Sequence, residues 1–234
     1  MNFDKKVSAL KLCDSIGYAD MYAPLEEGRG KIIYFSSIGA LVQFDNGTVF
    51  VALFDNTKAS VLSSYIPKGT KTVEIHESAM DEYLIKKGFK CMNPCTLYVY
   101  DKKEEIPLIG YETITLNTSH LDLVVKHYHL FTDIPYFRER LENGYFMGLL
   151  YQGEIAGFIA EHSEGAMGML EIFPQFRTKG LAKELEGAYI NKLLKLGRLP
   201  YCNVVKGNTI SEQLQRSLNL VPSDKIADWY NAVK

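Results

Sequence analysis

The chain has 234 residues, of which 47% are apolar and 23% are charged, and its formal net charge is -2. These proportions are typical of a soluble globular protein and exclude a disordered or fibrous chain. A nearly neutral charge also argues against nucleic-acid binding, which depends on neutralising phosphates. Residues 1–6 lack the apolar core of a signal peptide, and no run of about 18 apolar residues could span a bilayer. We therefore predict a cytoplasmic protein with no nucleic-acid or membrane partner.

The cysteines indicate free thiols rather than a metal site. Cys91 and Cys95 lie close together, but neither Cys13 nor Cys202 has a second cysteine or a histidine nearby. A structural zinc site needs a second pair of ligands at comparable spacing. We therefore predict no metal, and reduced thiols buried in strands.

The first part of the chain predicts a mixture of strands and helices. Residues 31–55 alternate apolar and polar side chains around Asn46-Gly47, which is typical of a tight hairpin turn. Further elements follow from periodicity and from Pro or Gly stops: a helix at 58–66, a strand at 72–75, a helix at 78–87 and a strand at 96–100. The charged run 101–107 ends in proline and predicts a linker. We place a domain boundary there, with domains at 1–106 and 107–234.

The second part predicts the order strand, helices, three strands, helix, strand, helix. The strands are predicted at 112–116, 145–151, 154–162, 167–173 and 201–205. The helices are predicted at 121–129, 136–141, 181–196 and 208–218, and Gln152-Gly153 predicts a second hairpin turn. This composition of elements predicts an α/β fold with a mixed sheet.

The segment 172–182 carries the clearest functional signal. An apolar strand runs into a polar turn that contains Gly180, and a helix-like sequence begins directly after it. The first N–H groups of a helix have no partner within the helix and lie at the positive end of its dipole. This arrangement predicts a binding site for a phosphate or pyrophosphate group.

These residues resemble a known family. The run from Arg177 to Ala182 matches the pattern Gln/Arg-x-x-Gly-x-Gly/Ala of the GCN5-related N-acetyltransferases, the GNAT superfamily. The order of elements from residue 111 to 220 is similar to that of the family, and residues 208–214 resemble its Asn-x-x-Ser helix start. The resemblance implies an acyl-CoA N-acyltransferase fold for the C-terminal domain. A glycine N-acyltransferase-like branch is the nearest resemblance, because its members also carry an extra N-terminal lobe.

The resemblance implies acetyl-CoA as the co-substrate. It places the pyrophosphate on the backbone N–H groups of a single loop, formed by Arg177, Thr178, Lys179, Gly180, Leu181 and Ala182. The pantetheine arm is expected between strands 169–173 and 201–205, where it would pair with the backbone of Ile172 and Phe173. Asn208 and Ser211 are either further coenzyme contacts or a plain helix cap.

Acyl transfer to an amine needs a base for the ammonium proton and an acid for the departing thiolate. Glu171 in the motif strand is our first candidate for the base, followed by Glu161 and His162 at the end of the preceding strand, beside Glu164. Members of the family often carry a tyrosine acid where this chain has Gln215. Glutamine cannot donate a proton in this role, so we expect a water, the thiolate itself or another tyrosine such as Tyr201 to replace it.

The N-terminal lobe lacks an equivalent of the Arg-x-x-Gly motif after its hairpin, at residues 54–59. We expect a degenerate GNAT-like half that supports the catalytic domain and lines one side of its substrate cleft; chance similarity between two α/β lobes is the alternative. The predicted activity is acetyl-CoA-dependent N-acetylation of a primary amine on a small molecule or peptide, by a monomer or homodimer. A non-catalytic acyl-CoA sensor or assembly module is the other reading, because the usual acid is absent.

Overall fold

A computed structural model describes residues 2–233 of the chain, which fold into two units with separate sheets. The first unit comprises residues 2–99, 201–212 and 221–233, and the second comprises Tyr100–Pro200 and Gln213–Leu220. The predicted boundary at residue 107 therefore differs from this division in two ways. The first unit ends near residue 99, and most of the C-terminal segment packs with the N-terminal residues.

The helices and strands follow one another in mixed order. Up to residue 99 the elements are α1 (Phe3–Cys13), α2 (Ala19–Glu26), β1 (Gly30–Ser36), β2 (Gly39–Phe44), β3 (Val49–Leu53), α3 (Ala59–Ser63), β4 (Thr72–Ile75), α4 (Asp81–Lys86) and β5 (Phe89–Val99). Beyond it they are β6 (Thr113–Thr115), α5 (Leu121–His127), α6 (Ile134–Glu142), β7 (Met147–Tyr151), β8 (Glu154–Glu161), β9 (Met167–Ile172), α7 (Leu181–Lys195), β10 (Tyr201–Val205), α8 (Thr209–Ser217), β11 (Val221–Pro222) and β12 (Ala227–Ala232).

The first unit contains an eight-stranded sheet in the order β1-β2-β3-β4-β12-β5-β10, with β11 also paired to β5. β3 and β4 run parallel, and the other pairs are antiparallel. One face of the sheet is covered by apolar side chains from α3 and α4, including Leu62 and Leu84, which pack against Val51 and Ile75. This burial supplies the main stabilisation of the unit.

The second unit contains the four-stranded antiparallel sheet β6-β7-β8-β9. Helix α7 packs on strands β7, β8 and β9. Its side chains Leu185, Tyr189 and Ile190 are buried. Phe146, directly before β7, and Phe158 in β8 are buried as well. The sheet and α7 therefore fix the strand and the helix on either side of the segment 172–182.

The predicted elements agree with the structure where a turn carries glycine. Gln152 and Gly153 both adopt positive φ, at 54° and 84°, as the two-residue hairpin turn between β7 and β8 requires. The predicted strands 72–75 and 201–205 match β4 and β10. The prediction of one hairpin at 31–55 is incomplete, because a further turn separates β1 from the β2–β3 hairpin.

Strand β9 contains an irregularity that its sequence does not indicate. Its pairing with β8 shifts register between Phe158 and Ala160, and Met169 has a φ of 52°. A β-bulge of this kind places an extra residue in one strand and redirects the side chains beyond it. The side chains of Glu171 and Ile172 therefore do not continue the simple alternation expected from residue 167 onward.

None of the four cysteines forms a disulfide within residues 2–233. Cys95 in β5 and Cys202 in β10 are buried in strands, as predicted, whereas Cys91 in β5 is half-buried and Cys13 is exposed at the end of α1. No helix within residues 2–233 is both long enough and apolar enough to cross a bilayer.

We expect Gly157→Ala to destabilise the second unit. A Cβ at Gly157 would collide with the carbonyl oxygen of Glu171 and lie 2.7 Å from Cδ1 of Ile172, on the facing strand β9. Because backbone cannot move aside cheaply, the expected loss is about 1–3 kcal/mol, which lowers Tm by roughly 2–4 °C per kcal/mol. Thermal denaturation measures this loss. Glu154→Ala, at an exposed position of β8, is the control. Equal Tm values for Gly157→Ala and this control would contradict the prediction.

Candidate functional site

The turn between β9 and α7 contains two residues in the left-handed region. A short 3₁₀ turn (Pro174–Phe176) follows β9, and Thr178 and Gly180 then adopt φ values of 65° and 76°. Glycine takes this conformation without strain, whereas a β-branched threonine does so at a cost. The Thr178 hydroxyl donates a hydrogen bond to the carbonyl of Arg177 at 2.6 Å. The turn is therefore held in a strained shape by its own polar groups.

The turn presents a row of N–H groups. The N–H groups of Lys183 and Glu184 donate to the carbonyl of Gly180 at 3.1 and 3.3 Å. Those of residues 178–182 donate to no acceptor within residues 2–233. They lie at the start of α7, which is 15 residues long, so the helix dipole adds to their positive potential. This geometry suits a phosphate or pyrophosphate group, as the sequence predicts.

Gly180 is explained by its backbone conformation rather than by crowding. A Cβ at Gly180 would have no heavy atom of the chain within 4 Å. The position therefore needs glycine for its positive φ, and the space in front of it is open to a ligand.

The two basic side chains of the turn are held by neighbours. Arg177 donates from Nε to the carbonyl of Ile172 at 2.9 Å and from Nη2 to Oε1 of Glu171 at 2.8 Å. Nζ of Lys179 lies 5.7 Å from the centre of the Tyr151 ring. Arg177 is thus bound back onto β9 and neutralises the carboxylate predicted as the base.

The backbone of Phe173 is already hydrogen-bonded. Its N–H donates to the carbonyl of Ala156 at 2.9 Å, and its carbonyl accepts from Phe176 at 2.8 Å. The predicted pairing of Phe173 with a pantetheine amide therefore has no vacant N–H to use. β9 pairs with β8 at the edge of its sheet, and β10 pairs with β5 at the edge of the other. A pantetheine arm between strands 169–173 and 201–205 remains a prediction.

Glu161 and His162 are engaged in separate interactions. Glu161 is fully buried, and its Oε2 accepts from Nη1 of Arg198 at 2.7 Å. His162 follows β8, and its Nδ1 lies 3.2 Å from the hydroxyl of Tyr136. A buried carboxylate that is ion-paired to arginine is a structural group, because its removal leaves an uncompensated charge. Of the three predicted bases, Glu171 is the one that the structure places beside the N–H row.

Two neighbours of Glu171, His127 and Tyr128, were not among the site residues predicted from the sequence. The ring of His127 stacks on Phe173 at 3.9 Å, and burial, followed by the charge of Lys126, lowers the pKa of His127. Burial raises the pKa of Tyr128 to about 12, and the charge of Glu171 adds to this effect. His127 is therefore neutral and Tyr128 protonated near pH 7. The run His127-Tyr128-His129, at the end of the predicted helix 121–129, was the sequence signal for these two residues.

Gln215 is not open to solvent. Its side chain is buried, and Nε2 donates to Oε2 of Glu186 in α7 at 3.2 Å. Burial raises the pKa of Glu186 to about 7, and the hydrogen bond from Gln215 opposes this only in part. The position at which the resemblance implies a tyrosine acid is thus occupied by an amide paired with a buried carboxyl.

The remaining predicted residues have local roles. Oδ1 of Asn208 accepts from the N–H of Ser211 at 3.2 Å, which is the helix-cap interaction that we considered beside a coenzyme contact. Tyr201 is only 1% exposed within β10. A coenzyme role for Asn208 and Ser211 remains a prediction.

Comparison with solved structures identifies the fold. A Drosophila protein shares 15% identity at a TM-score of 0.70, covering 98% of this chain and 95% of its own. A GCN5-related N-acetyltransferase from Kribbella flavida shares 13% identity at a TM-score of 0.59, covering 94% and 95%. Another from Sphaerobacter thermophilus shares 12% identity at a TM-score of 0.54, covering 98% and 93%. At these identities the likeness establishes the GNAT fold, in agreement with the predicted fold class.

The sequence comparison adds a family match. Residues 144–225 match the model of the FR47-like protein family, a range that includes the turn, α7, β10 and α8. A search of curated proteins finds no match. The GNAT fold and this match over part of the chain agree with the resemblance that the motif shows. Its placement in a glycine N-acyltransferase-like branch remains a prediction.

We expect the Glu186 carboxyl to make stability depend on pH. Its folded pKa of about 7 lies above the value of 4.5 for an unperturbed glutamate, so the folded state binds the proton more tightly. The stability should therefore fall as pH rises from about 4.5 to about 7, and stay lower above that, by on the order of 3 kcal/mol. Glu186→Gln should remove this slope, because glutamine cannot ionise.

Chemical denaturation of both proteins across this pH range checks the prediction. Glu142→Gln, which makes the same change of charge at an exposed position of α6, is the control and should keep the slope. Equal stability of wild type and Glu186→Gln at about pH 8 would contradict a buried, ionised Glu186.

Proposed function

We propose that this protein transfers an acyl group from acyl-CoA to a primary amine of a small molecule or peptide, with acetyl-CoA as the donor. The observation that carries the proposal is the row of N–H groups at residues 178–182, which have no acceptor within the described chain. It lies in the motif by which the sequence resembles the family. Lys179 adds positive charge beside this row, whereas the charge of Arg177 is offset by its ion pair with Glu171.

The proposed site divides binding from proton transfer. The N–H groups of residues 178–182 bind the pyrophosphate, and the thioester of acyl-CoA supplies the activated acyl group. Glu171, one strand residue before Ile172, accepts the proton that the amine must lose. Its ion pair with Arg177 joins the two functions, since the same guanidinium contacts the base and belongs to the anion-binding turn.

The acid of the proposed reaction is a phenol rather than Gln215. Tyr128 is protonated near neutral pH, as an ordinary phenol is, and burial raises its pKa further, to about 12. It is also close enough to Glu171 for that carboxylate to affect its ionisation. Gln215, by contrast, has no proton to give and is held by Glu186.

We expect Glu171→Gln to lower kcat by about 10²–10⁴-fold, the usual contribution of a general base. Thiol release from acetyl-CoA across a panel of primary amines measures the rate. Glu154→Gln in β8 makes the same change of charge at an exposed position and should leave the rate unchanged. A rate for Glu171→Gln equal to that of this control would exclude Glu171 as the base.

The ion pair of Glu171 and the identity of residue 215 favour a second function. Glu171 is ion-paired with Arg177, and Gln215 occupies the position of the usual acid. A protein that binds acyl-CoA without turnover, as a sensor or assembly module, needs the N–H row but neither a free base nor an acid. Binding and turnover must therefore be measured separately.

We expect acetyl-CoA to stabilise the protein and Gly180→Asp to abolish the effect. A ligand at 100 times its Kd adds about 2.7 kcal/mol, which raises Tm by roughly 5–10 °C for a chain of this size. An aspartate at Gly180 puts a negative charge in front of the N–H row and forces an L residue into positive φ. Thermal denaturation with and without acetyl-CoA measures the shift.

Gly197 provides a matched control at the opposite end of α7. Its φ of 71° and its open surroundings resemble those of Gly180, so Gly197→Asp imposes the same strain away from the N–H row. This control should retain the shift. Absence of any shift in the wild type, or its survival in Gly180→Asp, would remove the coenzyme assignment. A normal shift with no thiol release from any amine favours the non-catalytic alternative.

A further inference from the structure

One buried carboxyl of the second unit is not used by the proposed acyl transfer. Glu186 in α7 is 3% exposed, and its carboxyl makes one hydrogen bond within residues 2–233, which it accepts from Nε2 of Gln215 in α8 at 3.2 Å. Gln215 is itself 2% exposed and carries no charge. A carboxyl can be buried either beside a positive charge or with a proton of its own. Since this pair contains no positive charge, a proton on Glu186 is what makes it neutral.

The amide oxygen of Gln215 also requires a donor. Oε1 of Gln215 has no hydrogen-bond partner within the described part of the chain, although the side chain is buried. An amide oxygen can only accept, whereas a protonated carboxyl donates from its O–H and accepts at its other oxygen. A protonated Glu186 can therefore satisfy both polar atoms of the amide, and an ionised one can satisfy Nε2 alone. The pair is complete only when Glu186 is protonated.

The ionisable groups on the elements around Glu186 do not offset its charge. In α7 and α8, Lys183 and Arg216 are exposed, and Tyr189 donates its hydroxyl to a backbone carbonyl. The strands that pack on α7 carry Tyr151, Glu154, Glu161 and Glu171. The linker residues beside the next position of α7, Gly187, are the apolar Ile106 and Leu108. Burial raises the pKa of Glu186 to about 7, the hydrogen bond from Gln215 opposes this in part, and no charged group contributes.

Glu186 lies close to the start of α7. Gly180 precedes the helix, and Glu186 follows it at a distance of about 9 Å along the helix axis. Because helical side chains lean toward the N-terminus, the carboxyl lies roughly 10 Å from an anion on the N–H groups of residues 178–182. At this separation and an effective dielectric constant of about 20, two negative charges change an equilibrium on the order of tenfold.

We propose that the coenzyme pyrophosphate and a proton on Glu186 bind cooperatively, so that the protein takes up a proton as it binds acyl-CoA. This inference rests on the proposed function, because it needs the pyrophosphate at residues 178–182. In the free protein the N–H row and the helix dipole favour an ionised Glu186, and a bound anion removes this advantage. The coupling is reciprocal, since the anion tightens the binding of the proton by the same factor as the proton tightens the binding of the anion.

The affinity for acetyl-CoA should therefore fall as the pH rises through about 7. Below this pH Glu186 is protonated in the free protein, and above it the carboxylate repels the pyrophosphate. Glutamine imitates the protonated acid in size and charge. Glu186→Gln should match the Kd of the wild type at about pH 6 and bind about tenfold more tightly than the wild type at about pH 9.

Calorimetric titration with acetyl-CoA at about pH 7.5 measures the proton directly. Buffers of different ionisation enthalpy give the number of protons taken up on binding, and subtracting the value for Glu186→Gln removes the contribution of the coenzyme's own phosphates. For a tenfold coupling the difference should be about half a proton per chain. Glu142→Gln, which makes the same change of charge at an exposed position of α6, should behave as the wild type does.

The outcomes separate this inference from the coenzyme assignment. Equal proton uptake and equal pH dependence in the wild type and Glu186→Gln would overturn the coupling and leave the proposed function intact. No binding of acetyl-CoA to the wild type would remove both. If Glu142→Gln changed the proton uptake as much as Glu186→Gln does, the effect would belong to the net charge and not to Glu186.

The wild-type protein provides a second test if Glu186→Gln does not fold. Carbon NMR of the protein with labelled glutamate follows the side-chain carboxyl of Glu186 as the pH changes, with and without saturating acetyl-CoA. The coenzyme should make this carboxyl bind its proton about tenfold more tightly, which moves the midpoint of its ionisation to higher pH. An unchanged midpoint in the presence of bound coenzyme would overturn the proposal.

Discussion

The backbone between Ile172 and Leu181 is the constraint on which the candidate site depends. It must leave β9, pass through a 3₁₀ turn and enter α7, and it does so with left-handed φ at both Thr178 and Gly180. This path leaves the N–H groups of residues 178–182 without acceptors in the described chain. These N–H groups could donate to the sheet or to the helix only if the turn were lost. A ligand with several anionic oxygens is the natural partner for such a row.

Ion pairs with arginine then set what each carboxylate near the turn can do. Arg198 holds Glu161 in the interior, so that its charge serves packing rather than chemistry. Arg177 holds Glu171 at a position that is partly exposed, next to the turn that would bind phosphate. The same type of contact thus produces a structural group in one strand and a candidate base in the next. Burial, rather than residue type, makes the difference.

The sequence could predict those parts of the fold that depend on local backbone chemistry. The turn at Gln152-Gly153 and the start of α7 at Gly180 both require positive φ. Glycine in the sequence indicates such a position. The turn that presents the row of N–H groups could be predicted for the same reason. Strand β12 could not, because its position between β4 and β5 depends on pairing with residues more than a hundred positions away. The predicted domain boundary missed this pairing as well.

The bulge in β9 and the surroundings of Glu171 lay beyond prediction for a related reason. Methionine gives no indication of positive φ, so Met169 appeared to be an ordinary strand residue. His127 contacts Phe173 only because α5 and β9 meet in the folded unit. The motif therefore predicted which turn presents N–H groups without acceptors, but the neighbours of Glu171 depend on tertiary contacts.

Burial of a carboxyl has different consequences at two positions of the second unit. Glu186 has one neutral partner, Gln215, and burial raises its pKa to about 7, so that it binds a proton more readily than an exposed glutamate does. Glu161 is equally buried but accepts from the guanidinium of Arg198 at 2.7 Å. A protein interior tolerates a charge only with a strong counter-charge. A carboxyl whose partner is a neutral amide instead reduces the cost of its burial by binding a proton.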